Sequence, residues 1–156
     1  MKYVLLFICH FVLLPSSLFA QNVDELEISN LFTKQFINKW QSSDPKGLAS
    51  LWHEEGDWMS LIGSRGIYKG HKQIEQVWSI GLQSRLTVEQ RKLTIEIDSI
   101  ILHSPMLAHV DLVMTFGHAR TGLIREAMFA IMQNGKDGWK IKNSRVSRIS
   151  STPAEG

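Results

Sequence analysis

The stretch from Trp40 to Ile74 constrains the fold of this chain more than any other. It reads WQSSDPKGLASLWHEEGDWMSLIGSRGIYKGHKQI. A long helix ends near its start, and Asp44-Pro45 begins a short helix, because Asp caps a first turn and Pro suits the first helical position. Trp58–Ile62 is predicted to be a strand, Gly63–Gly66 a turn, and Gly70-His71 the start of a further helix. This order predicts an α+β domain.

Three helices are predicted, and the two long ones each have an apolar side. The first spans Asp24–Gln41, and the short second helix spans Pro45–Trp52. The third spans His71–Ser84. The apolar positions of the first are Ile28, Leu31, Phe32, Phe36 and Trp40, and those of the third are Ile74, Val77, Trp78, Ile80 and Leu82.

Four longer strands follow the helices. The first alternates apolar and polar residues from Leu93 and is broken at Ser104-Pro105, which predicts one wet face. Met106–Phe116 and Leu123–Gln133 are joined near Gly117–Gly122, and Trp139–Arg148 is the last strand. The intervening Asn134–Gly138 is a hairpin turn, because its glycines tolerate positive φ. The predicted order is α-α-β-β-α-β-β-β-β, with a mostly antiparallel sheet curling around the helices.

The first twenty residues have the layout of a secretory signal peptide. A basic start is followed by the apolar run Tyr3–Leu14, and a small residue, Ala20, marks the expected cleavage site. The apolar run is shorter than the roughly 20 residues of a membrane span. We therefore expect an exported protein, periplasmic or secreted, with a single domain over residues 21–149 and a flexible tail over 150–156.

The composition excludes several classes of function. The single cysteine, Cys9, lies in the expected leader, so the mature chain would have neither a disulfide nor thiolate chemistry. A net charge of +2 gives no indication of nucleic acid or an anionic membrane as a partner. No phosphate loop, nucleophile elbow or cofactor fingerprint is present, so no cofactor is expected. Four basic residues near the end are interpreted as one solvated strand face: Lys140, Lys142, Arg145 and Arg148.

Several landmarks occur in a characteristic order: Trp40, Asp44, Leu51–Glu55, Trp58, Gly66, Gly70–Ile74 and Gly138–Ile141. In this order the chain resembles the nuclear transport factor 2-like superfamily, and within it the SnoaL-like group. The resemblance implies a cone-shaped α+β fold with three helices packed on a curved, mostly antiparallel sheet. It also implies a conical cavity and frequent dimerisation through the outer sheet face. Members include isomerases, cyclases, dehydratases, epoxide hydrolases, association domains and proteins without known activity.

The ketosteroid isomerase pattern within that superfamily can be compared by position. Its tyrosine falls at Phe36, its aspartate base at Ser60 and its late acid near Ala127. None of these residues can supply the required hydroxyl, base or acid. Steroid-type enolisation is therefore not expected. An epoxide-hydrolase arrangement needs two carboxylates bridged by an arginine. Asp111 and Arg125 would supply one carboxylate and the arginine, and no second carboxylate can be placed.

The segment His53–Asp57 matches only the first part of a metal-binding helix motif. Such a helix needs two histidines four residues apart, and Asp57 stands at the second position. Gly56 would also break the helix. A solvated loop of charges is the preferred interpretation, and no metal site is predicted.

The acid and base candidates lie on later strands. His109, Asp111 and Thr115 share one face of their strand, and the opposite face is apolar core. The polar face either looks outward or lines a wet cavity; in a cavity, His109 or Asp111 would be the base. Arg125 and Glu126 point to opposite faces. Arg125 either forms a strand-end ion pair or orients an anionic or carbonyl ligand.

The aromatic residues suggest a binding site. Trp40 and Trp58 are placed nearest a cavity mouth, where an indole can stack on a ligand and still use its N–H. Ser60 and Phe129 complete the predicted ligand-binding set, while Trp52 and Trp78 are interpreted as core.

Three functional hypotheses follow. The leading one is an exported homodimer that binds a small, mostly apolar ligand in the cone. The second is a lyase, isomerase or hydrolase in which His109 or Asp111 is the base and Arg125 stabilises charge. The third is a dimeric protein-interaction module that uses the outer sheet face.

Overall fold

The computed structural model describes residues 16–62, 66–83, 92–118 and 122–149. Its helices are α1 (Ser16–Asn30), α2 (Ile37–Gln41), α3 (Pro45–Ala49) and α4 (Gly70–Gln83), with a π-helical segment, Leu31–Phe36, joining α1 to α2. Its strands are β1 (Trp52–Ser60), β2 (Gly66–Lys69), β3 (Leu93–Ser104), β4 (Leu107–His118), β5 (Gly122–Gly135) and β6 (Gly138–Arg148). Among these residues, the helices lack the combined length and apolarity that a membrane crossing requires.

The first helical stretch is continuous from Ser16 to Gln41 and therefore begins before the expected cleavage site. The predicted apolar stripe is confirmed, since each of its members is at most 3% exposed: Ile28, Leu31, Phe32, Phe36 and Trp40. A π-helical turn changes the angular spacing of side chains. Here it occupies the segment that places Leu31, Phe32 and Phe36 in the core.

The start of α3 is confirmed and its end is corrected. The Asp44 carboxylate accepts a hydrogen bond from the Gly47 amide at 2.8 Å, and Pro45 occupies the first turn. The helix ends at Ala49 rather than Trp52, because Trp52 already begins β1.

The segment His53–Asp57, predicted to be a solvated loop, lies within β1. That prediction is wrong because β1 joins the sheet through a parallel pairing with β6, with a register shift between Trp52 and Asp57. Gly56 lies in the shifted part. A Cβ there would come within 2.8 Å of the His53 carbonyl oxygen and 2.9 Å of the Ile141 carbonyl oxygen. Glycine thus permits the close backbone approach that an irregular strand requires.

The six strands form one sheet in the order β2-β1-β6-β5-β4-β3, and it curves around the helices. All neighbours are antiparallel except β1 and β6. The predicted hairpin between β5 and β6 is confirmed, with Gly138 at φ +79° and Gly135 opposite it. The predicted turn at Gly63–Gly66 and the connection at Gly117–Gly122 lie largely outside the described residues.

The core lies between the helices and one face of the sheet. The apolar face predicted for β4 is confirmed, and its members are all buried: Ala108, Val110, Leu112, Met114 and Phe116. In α4 the buried line is Ile74, Trp78 and Leu82, at four-residue spacing. Ile80 is 64% exposed and does not belong to it, because two residues beyond Trp78 a helix presents its opposite side.

Candidate functional site

The two faces of the sheet separate the candidate residues into two groups. Directly opposed residues on neighbouring strands share a face. Leu112, Met128 and Val146 are opposed and buried beneath the helices, which defines the core face. Asp111, Phe129 and Arg145 are opposed one residue away from these on each strand, which defines the outer face.

On the core face, aromatic rings form one continuous group, here called the aromatic cluster: Phe36, Trp40, Trp52, Trp58, Tyr68, Trp78 and Phe116. Trp78 is at its centre. Its ring centroid lies 5.0 Å from that of Trp58 in a stacked arrangement and 5.7 Å from those of Phe36 and Trp40 in edge-to-face arrangements. Such geometries add stability beyond simple burial. The sequence interpretation of Trp78 as core is thus confirmed.

The indole N–H groups differ in how they are satisfied. Trp52 Nε1 donates to Ser144 Oγ at 3.3 Å, and Trp139 Nε1 donates to Asp24 Oδ1 at 3.0 Å. The N–H groups of Trp58 and Trp78 are buried and have no hydrogen-bond partner among the described residues. A buried donor left without a partner costs about 1–3 kcal/mol. Two such donors therefore lie in one stacked pair within an apolar cluster.

Ser60 lies beside this pair. It is opposed to the buried Val146, while Trp58 is opposed to the buried Ser144 and to Tyr68. The Ser60 hydroxyl is within 3.2 Å of both the amide nitrogen and the carbonyl oxygen of Ile62, so it is occupied by a local turn. The structure places Trp40, Trp58 and Ser60 on the same side of the sheet, with Trp40 only 1% exposed.

Phe129 does not join them. It lies on the outer face, is 39% exposed, and packs its ring 5.5 Å from that of His109. The prediction that it lines the cone is wrong because the register of β5 buries the adjacent Met128 instead. Ala127 also lies on the outer face, opposed to Val113. An acid at that position would not have reached the core, which adds a geometric reason against the isomerase pattern.

The three proposed catalytic residues lie on the outer face and do not converge. Asp111 accepts a hydrogen bond from Ser99 Oγ at 3.1 Å, and His109 contacts His103 instead. Arg125 is exposed and opposed to Thr115, four residues along β4 from Asp111. Four residues of strand correspond to about 13 Å. The arrangement therefore gives no support to acid–base catalysis by this set.

Glu126 is the carboxylate that sequence reasoning did not select. It is opposed to the buried Met114, and its side chain is 14% exposed. Arg148 Nη2 lies 3.9 Å from Glu126 Oε1. The sequence of β5 contains the pattern that could have identified it. Ile124, Glu126 and Met128 alternate along the strand, which places Glu126 rather than Arg125 on the core face.

The basic residues of β6 do not form one solvated face. Arg145 binds the Asp57 carboxylate on the outer face, and Asn143 Nδ2 donates to the same carboxylate at 2.8 Å. Arg148 is opposed to Glu126 on the core face. The prediction of a single face is wrong because Arg145 and Arg148 are three residues apart on a regularly paired part of β6 and therefore point to opposite faces.

Two of the clefts at the surface of the described residues border candidate residues. One, of about 360 Å³, lies on the outer face and is bordered by Asp98, Asp111, Phe129 and Arg145. The other, of about 370 Å³, lies at the β5–β6 turn and is bordered by His53, His71 and Lys140.

His71 Nε2 lies 2.8 Å from the Trp52 carbonyl oxygen, so it holds the start of α4 to β1. No group of three or more His, Cys, Asp or Glu side chains suited to a metal ion occurs within the described ranges.

Comparisons with solved structures define the fold. A domain of unknown function with a cystatin-like fold from Nostoc punctiforme superposes with a TM-score of 0.66 at 22% identity, over 83% of this chain and 79% of that one. An NTF2-like protein with a cystatin-like fold from Novosphingobium aromaticivorans gives 0.66 at 14% identity, over 89% and 90%. A ketosteroid isomerase-like protein from Erwinia carotovora gives 0.61 at 16% identity, over 74% and 89%.

No protein-family model matches the sequence, and no curated protein sequence matches it either. The structural similarities therefore establish the nuclear transport factor 2-like fold, which confirms the fold class expected from the sequence. Because fold alone does not determine activity, function must be argued from the side chains.

Proposed function

We propose that this protein binds a small, mostly apolar ligand against the aromatic cluster, and that the indole N–H groups of Trp58 and Trp78 donate hydrogen bonds to an oxygen of that ligand. The observation that carries the proposal is the pair of buried, unpartnered indole donors in one stack. Buried donors in folded proteins are almost always satisfied.

The chemistry of the cluster restricts the ligand. Its residues are all aromatic, so burial of apolar ligand surface against them supplies most of the binding free energy. The free groups are donors, so the matching ligand group is an acceptor such as a carbonyl or ether oxygen. Each satisfied donor contributes about 1–3 kcal/mol relative to an empty contact.

Binding is favoured over catalysis by the position of the ionisable groups. His109, Asp111 and Arg125 lie on the outer face, whereas the unpartnered donors lie on the core face. Glu126 is a carboxylate on the core face, and it is paired with Arg148. A general base must reach the reacting proton within hydrogen-bond distance, and no His, Asp or Glu among the described residues forms a hydrogen bond with either donor.

A matched pair of ligands tests the proposal. Acetylnaphthalene and ethylnaphthalene share one skeleton and differ by a carbonyl in place of a methylene. Their affinities are measured by displacement of the fluorescent ketone PRODAN. We expect acetylnaphthalene to bind about tenfold more tightly, because a site built to donate hydrogen bonds disfavours an analogue that lacks the acceptor.

Variants assign that preference to the two indoles. Trp58→Phe and Trp78→Phe keep an aromatic ring and remove the N–H, so the preference for the ketone should disappear. Trp139→Phe is the control, because its N–H is already bound to Asp24. Absence of PRODAN binding, or a ketone preference that survives in both variants, would refute the proposal.

The oligomeric state proposed with this function is a homodimer formed through the outer face. Support comes from three large apolar side chains exposed on that face, Ile101 (46%), Leu107 (42%) and Phe129 (39%). Exposed apolar groups of this kind mark contact surfaces. Phe129→Glu should shift a dimer to a monomer in sedimentation velocity; a wild-type monomer at micromolar concentration would contradict the dimer.

We also propose that the protein is exported, on the strength of the leader described above. Intact-mass measurement of the protein recovered from periplasm or medium should give a chain that begins at Gln21. Recovery of the uncleaved chain from the cytoplasm alone would overturn this proposal.

A further inference from the structure

Two histidines meet on the outer face near the turn between β3 and β4. His103 is exposed and His109 is half-buried. The pairing register of the two strands shifts between Leu102 and Ser104, so His103 has no directly opposed residue, whereas His109 is opposed to Ile101. The shift lets the His103 ring reach the His109 ring.

The contact between the two rings is a single hydrogen bond. Nε2 of His103 lies 2.7 Å from Nδ1 of His109, and the ring centroids are 4.9 Å apart. The centroid separation exceeds the nitrogen separation by about the radii of the two rings, so the nitrogens face each other nearly in line. One nitrogen donates its proton and the other accepts it with its lone pair. The contact therefore holds only while at most one ring is charged, because a doubly protonated pair would point two N–H groups at each other.

The pair lies among the exposed apolar side chains of the proposed dimer surface. His109 is opposed to Ile101 on one neighbouring strand and to Ile131 on the other. The Phe129 ring centroid lies 5.5 Å from that of His109, and Leu107 precedes His109 by two residues on the same face. These four apolar residues are here called the outer patch. A second copy that covers the outer patch would remove water from around His109.

The charged groups near the pair can compensate one positive charge better than two. Asp111 follows His109 by two residues on the same face, and its carboxylate accepts a hydrogen bond from Ser99. Arg145 and Asp57 form an ion pair with each other. On β5, the opposed residues Phe129, Ile131 and Gln133 carry no charge. The charged residues on the elements around the pair are Glu96 and Asp98 on β3, Asp111 on β4, Lys140 and Arg145 on β6, Asp57 on β1, Lys69 on β2, and Lys136 and Asp137 in the β5–β6 turn.

From these observations we propose that the His103–His109 pair makes the homodimer sensitive to pH, so that the dimer forms at neutral pH and dissociates in mildly acidic solution. The switch rests on the homodimer proposed above and adds its regulation. Histidine is the side chain that changes charge between about pH 5 and 8. A second copy can cover the uncharged pair, because the facing nitrogens satisfy each other. The doubly protonated pair loses this hydrogen bond, and covering it would bury charge against the outer patch.

The direction of the effect follows from proton linkage. Covering the pair disfavours its protonated form, so protons are released when the dimer assembles, and association weakens as the pH falls. For each histidine that must give up a proton, the dissociation constant of the dimer rises about tenfold between about pH 7.5 and about pH 5.5. One such proton per protomer predicts a rise of about a hundredfold.

The test is sedimentation velocity of the purified protein over a concentration series at these two pH values. Circular dichroism limits the comparison to conditions in which the chain is folded. The double variant His103→Gln with His109→Gln keeps polar side chains that cannot become charged, so its dimer should have equal affinity at both pH values. His103→Gln alone, at the exposed position, should also remove most of the pH dependence. His53→Gln is the matched control, because His53 contacts Lys142 rather than the outer patch, and it should retain the wild-type response.

The possible results separate the switch from the dimer. A wild-type monomer at pH 7.5 would overturn both. A wild-type dimer of equal affinity at the two pH values would overturn the switch and leave the dimer standing. A pH dependence that survives in both the single and the double variant would assign the effect to other groups and overturn the role of the pair.

Discussion

Replacing Trp78 by Phe should change the stability of the unliganded protein very little, although Trp78 is only 7% exposed. The substitution keeps a six-membered ring and loses the pyrrole portion. The lost contacts and the small cavity cost about 1–2 kcal/mol. Removal of an unpartnered buried N–H returns about 1–3 kcal/mol. The two terms oppose each other, so the free energy of unfolding should stay within about 1 kcal/mol of the wild-type value.

Trp139→Phe is the comparison. Trp139 is 5% exposed, so the loss of buried surface is similar, but its N–H donates to the Asp24 carboxylate at 3.0 Å. A hydrogen bond to a charged group contributes about 1.5–3 kcal/mol. The expected destabilisation is therefore about 3–4 kcal/mol.

Urea unfolding followed by far-ultraviolet circular dichroism measures both variants without relying on tryptophan emission. With a slope of about 1–3 kcal/mol per molar urea, the two unfolding midpoints should differ by about 1–4 M. Equal destabilisation by the two substitutions would refute the reasoning. It would mean that the Trp78 N–H is satisfied in solution, and the case for an acceptor-bearing ligand would lose its basis.

Three further substitutions test the scaffold by chemical denaturation. Gly56→Ala should destabilise by about 1–3 kcal/mol, because the new methyl group would lie 2.8 and 2.9 Å from two backbone carbonyl oxygens, whereas Gly135→Ala meets nothing within 4 Å and serves as its control. Asp57→Ala should cost about 2–3 kcal/mol, since it leaves Arg145 without its carboxylate partner and removes the link between β1 and β6. Asp44→Ala removes the cap of α3 and should cost about 1 kcal/mol.

Each of these has a clear contrary result. Equal stability of the two glycine variants would show that the β1 backbone relaxes freely. A neutral Asp57 substitution would show that the ion pair is fully screened by solvent. A neutral Asp44 substitution would show that another group or water satisfies the first turn of α3.

The elements with a strong local signal were predictable from sequence. Helical spacing identified the buried stripe of the first helix, and strict alternation identified the buried face of β4. The Asp-Pro pair fixed the start of α3, and the glycine-rich turn fixed the last hairpin. In each case the interactions that decide the structure lie within a few residues of each other.

The errors occurred where distant pairing decides the outcome. The charged segment at Glu54 becomes a strand because β6, from the other end of the chain, pairs with it. Met128 and Phe129 are adjacent and both apolar, so the pairing of β5 with β4 and β6 decides which of them is buried. The contact between His103 and His109 depends on the register shift between Leu102 and Ser104. The unpartnered indole donors depend on three-dimensional packing, which no spacing in the sequence reveals.

The strand order has a consequence for how this protein can fold. β6, the last strand to be synthesised, lies between β1 and β5, so the N-terminal hairpin and the C-terminal strands have no shared edge until β6 arrives. Joining segments so far apart in sequence is slow, because chain entropy is lost before any contact compensates for it. A chain that terminates before Trp139 would expose two open sheet edges, and exposed edges pair readily with other chains. Truncated forms of this protein should therefore aggregate rather than persist as smaller folded domains.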